Sequence, residues 1–132
     1  MNLKTRWATA YHEAGHAVVS WLLGIALRRE GVTIVPDNAA GNSGSCATRW
    51  TSRKTIEWDA SERNRFRAEK DIQCLLAAEI AQWRYNPHSM RRYHSSSDRK
   101  QMDDLLTRFY LRPKRDRRMG EAATDTHGKP SL

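Results

Sequence analysis

This chain has few means of covalent or membrane-borne stabilisation. Its two cysteines, Cys46 and Cys74, are too few for a disulfide framework. Neither belongs to a C-x-x-C pair, so a cysteine-built zinc site is not expected either. Two free thiols in a reducing cytoplasm are the expectation. No apolar run approaches the length of a membrane span, and His12, Glu13 and His16 interrupt the amino-terminal apolar stretch, unlike a secretory signal. A soluble, cytoplasmic protein without membrane contact is therefore expected. Acidic residues are also scarce: 15 Asp and Glu stand against 23 Lys and Arg, a formal charge of +8. That balance favours acidic partners, nucleic acid among them. The charge is spread along the chain, however, and no RNA- or DNA-binding motif accompanies it. Internal repeats are absent.

The 132 residues leave room for one compact domain with a moderate core. Apolar residues make up 39% and charged residues 29%, and five tryptophans offset part of that polarity by the area each can bury. From about Thr5 to Leu23, the residues Trp7, Ala10, Ala14, Ala17, Val18, Trp21 and Leu22 recur at helical spacing, with Gly24 as the stop. Val32-Thr33-Ile34-Val35 is β-branched throughout, stands between Gly31 and Pro36, and reads as a strand. Asp37 to Ser45 reads as a wide turn, and Cys46 to Trp50 as a returning strand.

A second helix is expected from Ser61 to Tyr85, ended by Asn86-Pro87. Its core face would be Phe66, Ile72, Leu75, Leu76, Ile80 and Trp83, and Trp7, Trp21 and Trp83 are expected in the core. His88 to Ser97 is a polar loop, and Ser95, Ser96 and Ser97 offer caps for a third helix, Asp98 to Leu111. That helix sets Met102, Leu105, Leu106 and Phe109 on one side. Residues 113–132, opening with Lys114-Arg115-Asp116-Arg117-Arg118, read as a mobile basic tail that leaves 1–112 as the domain. The fold class is mainly α with a small β element, α+β.

The most explicit chemistry lies in the first helix, where His12-Glu13-Ala14-Gly15-His16 forms an H-E-x-x-H motif. Histidines four residues apart share one helix face, so both imidazoles can reach one zinc ion. Glu13, one step around, can hold and deprotonate a water on that metal. Gly15 costs about 1 kcal/mol relative to alanine in a helix, which a close neighbour or ligand would explain. A catalytic zinc takes three protein ligands and leaves a fourth position for water. The metzincin pattern is excluded, because its glycine and third histidine positions hold Val19 and Leu22. A glutamate from the second helix makes Glu62, Glu69 and Glu79 candidates, and His94 is another. His88 and His94 otherwise read as solvated loop residues, Asp103 and Asp104 as solvent-facing, and Gln82 as structural.

Ala10-Tyr11-His12-Glu13-Ala14-Gly15-His16-Ala17-Val18-Val19 resembles the zinc-binding helix of the FtsH-type peptidase domain. Val32-Thr33-Ile34-Val35-Pro36 is similar to the short strand that follows it in that family. Leu76-Ala77-Ala78-Glu79-Ile80-Ala81-Gln82 resembles the family's Leu-Ala-Gly-Arg-Ala-Ala-Glu segment, with Ala78, Glu79 and Gln82 departing from it. Ser95-Ser96-Ser97-Asp98, followed by Met102 and Leu105, fits the family's serine/threonine-rich turn, aspartate and helix. The resemblance spans roughly residues 7 to 110 and implies a zincin-like helical peptidase domain. It implies Zn2+ as cofactor, with Asp98 as third ligand beside His12 and His16, and Glu13 as the catalytic base. The bland reading of Asp98 is a carboxylate favoured by a helix N-terminus.

The chain has no G-x-x-x-x-G-K-[ST] phosphate loop, so the family's ATPase module is not expected, nor its membrane anchor. The expected function is zinc-dependent hydrolysis of peptide bonds in unfolded or flexible polypeptide, without ATP. As an edge strand, Val32, Thr33, Ile34 and Val35 would pair with an extended substrate. A partner unfoldase or a homo-oligomer would fit this reading. The alternatives are an inactive metal-binding interaction or regulatory module, and a basic nucleic-acid-associated protein on the same scaffold. The basic tail would be the nucleic-acid contact, which is not the favoured partner.

Overall fold

The computed structural model describes residues 3–49, 61–90 and 96–111. The expected tail, His94 and two of the five tryptophans lie outside these residues. In chain order the elements are α1 (Leu3–Leu22), β1 (Leu27–Thr33), β2 (Ser45–Thr48), α2 (Glu62–Tyr85), a 3-10 turn (Pro87–Ser89) and α3 (Ser96–Leu106), which runs into a π-helical turn (Thr107–Leu111). The fold is thus mainly helical with one two-stranded antiparallel sheet, in keeping with the expected α+β class. No helix among the described residues is long and apolar enough to cross a membrane.

Local chemistry accounts for the ends of the helices. Gly24 adopts φ +73°, and Ile25 N–H reaches Ser20 O at 2.8 Å while Gly24 N–H reaches Trp21 O at 3.2 Å, the paired closure that a left-handed glycine permits. Lys70 Nζ adds a bond to Leu23 O at 3.1 Å. Ser61 caps α2 by accepting from Asn64 N–H. Asn86 ends α2, its N–H bonded to Gln82 O, before Pro87 forbids continuation.

The sheet departs from the sequence reading. The strand covers Leu27–Thr33 rather than Val32–Val35, because pairing with β2 decides it: Leu27 faces Thr48, Val32 faces Cys46 and Thr33 faces Ser45, with a register shift between Leu27 and Val32. Ile34 and Val35 lie beyond it. The wide turn is present, pinned by the Asp37–Asn42 bridge and by Asp37 Oδ1, which accepts from Ala39 and Ala40 N–H at 3.0 and 3.2 Å.

The core is built from small and polar residues rather than from the expected large ones. On α2 the buried positions Asn64, Ala68, Asp71, Leu75, Ala78 and Gln82, with Cys74 alongside, alternate by four and three residues, the spacing of a helix–helix seam. On α1 the buried residues are Ala8, Glu13, His16 and Ser20. Trp7, Trp21, Phe66, Leu76, Ile80 and Trp83, expected to pack inward, are exposed, as are Val18 and Leu22 of the α1 apolar stripe. Only Leu75 is buried as expected, with Ile72 half-buried. The reason lies at Gly15. A Cβ there would stand 2.7 Å from Ala77 O and 2.8 Å from Ala78 Cα, so the two helices touch backbone to backbone. Only a face of small residues allows that approach, and it turns the large apolar stripe outward.

Gly15→Ala tests this directly. The higher helix propensity of alanine favours the variant by about 1 kcal/mol, yet the clash should dominate. Net destabilisation of roughly 1–3 kcal/mol is expected in urea unfolding.

Candidate metal centre

Two helices converge on one point. Positions 12 and 16 lie a turn apart on the inward face of α1, and Asp98 comes from the first turn of α3. His12 Nε2 lies 3.0 Å from Asp98 Oδ2, and His16 Nε2 lies 3.2 Å from the same oxygen. Among the described residues, His12, His16 and Asp98 form the one group of three such side chains whose ligand atoms all fall within 4.8 Å.

The other nitrogen of each ring is already engaged. His12 Nδ1 bonds Gln82 Oε1 at 3.0 Å, and His16 Nδ1 bonds the carbonyl of Cys74 at 3.0 Å. Both acceptors hold a proton on Nδ1 and leave the Nε2 of each ring as the atom that faces Asp98. Gln82 is itself held, its Nε2 donating to Ser89 O and Oγ at 3.4 and 3.2 Å. Cys74 Sγ lies 2.9 Å from Ser20 Oγ and donates to His16 O at 3.4 Å, tying α1 to α2 beneath His16.

The remaining candidate ligands among the described residues lie away from this group. Glu79 forms an ion pair with Arg99, the neighbour of Asp98, and so fastens the first turn of α3 to α2. Glu69 accepts from Tyr110 and pairs with Arg65. Glu62 is exposed in the first turn of α2, and Asp103 is exposed while Asp104 is half-buried. Cys46 and Cys74 are both free thiols.

Glu13 is nearly buried beside the triad, at 7% exposure. Burial raises its pKa; the charges of His12 and His16 oppose this and that of Asp98 adds to it. The hairpin loop closes over it. A Cβ on Gly44 would meet Thr9 Cγ2 at 2.8 Å, Thr33 O at 2.9 Å and Glu13 Cγ at 3.1 Å, so glycine lets the loop lie against the carboxylate stem.

These residues share an open cleft of about 870 Å3. Its walls include Lys4 and Thr9 of α1, the loop from Gly41 to Cys46, and His88 and Ser89 after α2. Val32, Thr33, Ile34 and Val35, expected to receive substrate, do not line it; the loop and the start of β2 stand there instead. Cys46 in the wall is half-buried, and burial, with Glu13 and Cys74 nearby, pushes its thiol up to about 11. Sequence reasoning missed the loop and the anchoring role of Gln82. The signal for Gln82 was a polar residue at seam spacing from Leu75 and Ala78.

Family models, curated proteins and solved structures were all compared with this chain, and none matches.

Two outcomes follow from this geometry. Gln82→Leu, which leaves His12 Nδ1–H without its acceptor, should weaken divalent metal binding about 10- to 100-fold by competition against a chelating dye. The metal-free protein should also show a marked pH profile. Burial pushes His16 down, but its bonds to Asp98 and Cys74 and the charge of Asp98 outweigh this and raise it from 6.5 to about 10. Its stabilisation is complete below pH 6.5 and fades as pH climbs through about 10. Burial pushes Asp98 up, but bonds to both histidines hold it well below its ordinary 3.8, so its contribution is lost on acidification below that value. Melting temperature without metal should therefore peak between about pH 4 and pH 6.5, and added metal, which needs neutral imidazoles, should move the optimum upward.

Proposed function

We propose that this chain is a zinc-dependent metallopeptidase with a zincin-like fold of the FtsH type, cleaving peptide bonds in flexible or unfolded polypeptide without ATP. The observation that carries the proposal is the donor set. Two Nε2 atoms, with their Nδ1 partners fixed by Gln82 and Cys74, face one carboxylate oxygen at 3.0 and 3.2 Å. Such separations match the edge of a tetrahedron with bonds of about 2.0 Å, the geometry zinc takes with imidazole and carboxylate. His12, His16 and Asp98 would hold the ion. Zinc bound there supplies Lewis acidity to a water and to a substrate carbonyl.

The chain's own residues divide the remaining work. Glu13, raised by burial, takes the proton from the attacking water and returns it to the leaving amine, a double duty suited to a carboxylate that titrates above its usual range. The loop from Gly41 to Ser45 and the first residues of β2 offer backbone groups to an extended segment along the cleft.

Cleavage of an unstructured protein with and without chelator tests this reading. Glu13→Gln should lower kcat/KM by roughly 100- to 10,000-fold while zinc content measured by mass spectrometry stays at the parent level. Asp98→Ala should lose zinc during gel filtration. A parent protein that holds zinc stoichiometrically yet cleaves nothing would instead mark a metal-binding regulatory module.

A further inference from the structure

Opposite the metal centre, the outer face of α1 is apolar along its length. Trp7, Tyr11, Ala14, Val18 and Trp21 follow one another by four, three, four and three residues, the spacing of a coiled-coil seam. Leu3 and Leu22 flank them, and all seven are exposed, Trp21 at 77%. Tyr11 is held in place by stacking on Tyr85, with ring centroids 4.3 Å apart. The inward face of the same helix is already used against α2. An apolar outer face on the same helix is a second surface to cover.

We infer that this face binds a second copy of the chain, forming a two-fold dimer with the two α1 helices antiparallel and crossing at Ala14. The order of the stripe is nearly palindromic about that residue. Trp7 and Trp21 stand at equal distances on either side, with Tyr11 and Val18 between. A two-fold axis through Ala14 sets Trp7 against Trp21 of the second copy and Tyr11 against its Val18, while the small Ala14 side chains let the helices approach.

Charge agrees with this direction. Glu13 is the only acidic residue in α1 and it is buried, while Lys4 and Arg6 mark the amino-terminal end. An antiparallel pair keeps those cations a helix length away from their counterparts in the other copy. A parallel pair would set them against their own kind. The area is also sufficient. The exposed portions of the six large residues amount to roughly 700 Å2 per copy, close to the ~800 Å2 that each side of a stable interface buries. Residues 113–132, with almost no large apolar side chain, would cover such a face poorly; Trp50, Ile56 and Trp58 are the competing cover from within the chain.

Sedimentation equilibrium of the full chain should show a monomer–dimer equilibrium at micromolar concentration. Val18→Glu and Trp21→Glu should each raise the dissociation constant at least about thirtyfold, with far-UV circular dichroism unchanged. Mixing a Trp7→Cys chain with a Trp21→Cys chain should give a disulfide-linked heterodimer faster than either variant links to itself. A chain that stays monomeric with shielded tryptophans, or that binds phosphatidylserine vesicles as a monomer, overturns the inference. So does an oligomer that survives both glutamate substitutions.

Discussion

The approach of α1 to α2 at Gly15 is the constraint on which the rest of the molecule depends. With Ala77 O and Ala78 Cα filling the place of a glycine side chain, the helices lie close enough for short side chains to bond across the seam. His16 reaches a main-chain carbonyl of α2 and His12 reaches Gln82. At the wider separation of an ordinary leucine-packed pair, about 10 Å between axes, neither contact would close. The core is accordingly poor in large apolar residues, and part of what holds the helices together is the same set of hydrogen bonds that aims the imidazoles. Structural and chemical demands fall on the same atoms.

What could be read from the sequence followed the range of the interactions involved. His12, Glu13 and His16 were legible because their relation is set within one helical turn. The three helices and the hairpin were legible because caps, glycine stops and proline breaks act locally. Asp98 is another matter: no local rule links it to His12, and helical phase alone left Glu62, Glu69 and Glu79 equally open. Its nomination came only from the resemblance of motif-like segments along the chain to the FtsH-type peptidase domain. Glu79 turned out to matter by holding Arg99 beside Asp98.

The errors have a common physical origin. Periodicity reveals that a helix has a stripe of large apolar residues, but not whether that stripe turns inward. Here Ala8, Gly15, Ser20, Ala68 and Ala78 decide the matter, since only they permit close contact, and Trp7, Trp21 and Trp83 are turned outward as a result. For the hairpin, β-branched composition pointed to Val32–Val35, whereas the ladder recruits Leu27–Thr33, including Arg28, Arg29 and Glu30. Pairing partners outrank intrinsic propensity in so short a sheet.

The separation of Asp98 from the histidines along the chain has a consequence of its own. Asp98 follows His16 by 82 positions, and the rest of α3 is tied to α2 by the Arg99–Glu79 ion pair and by half-buried Met102, Leu105 and Leu106. An ion held by all three side chains acts as a staple across a very long loop, removing much of the freedom of the unfolded chain. Occupancy would then strengthen the docking of the last described helix, so that an ion at this site would bear on folding as well as on chemistry.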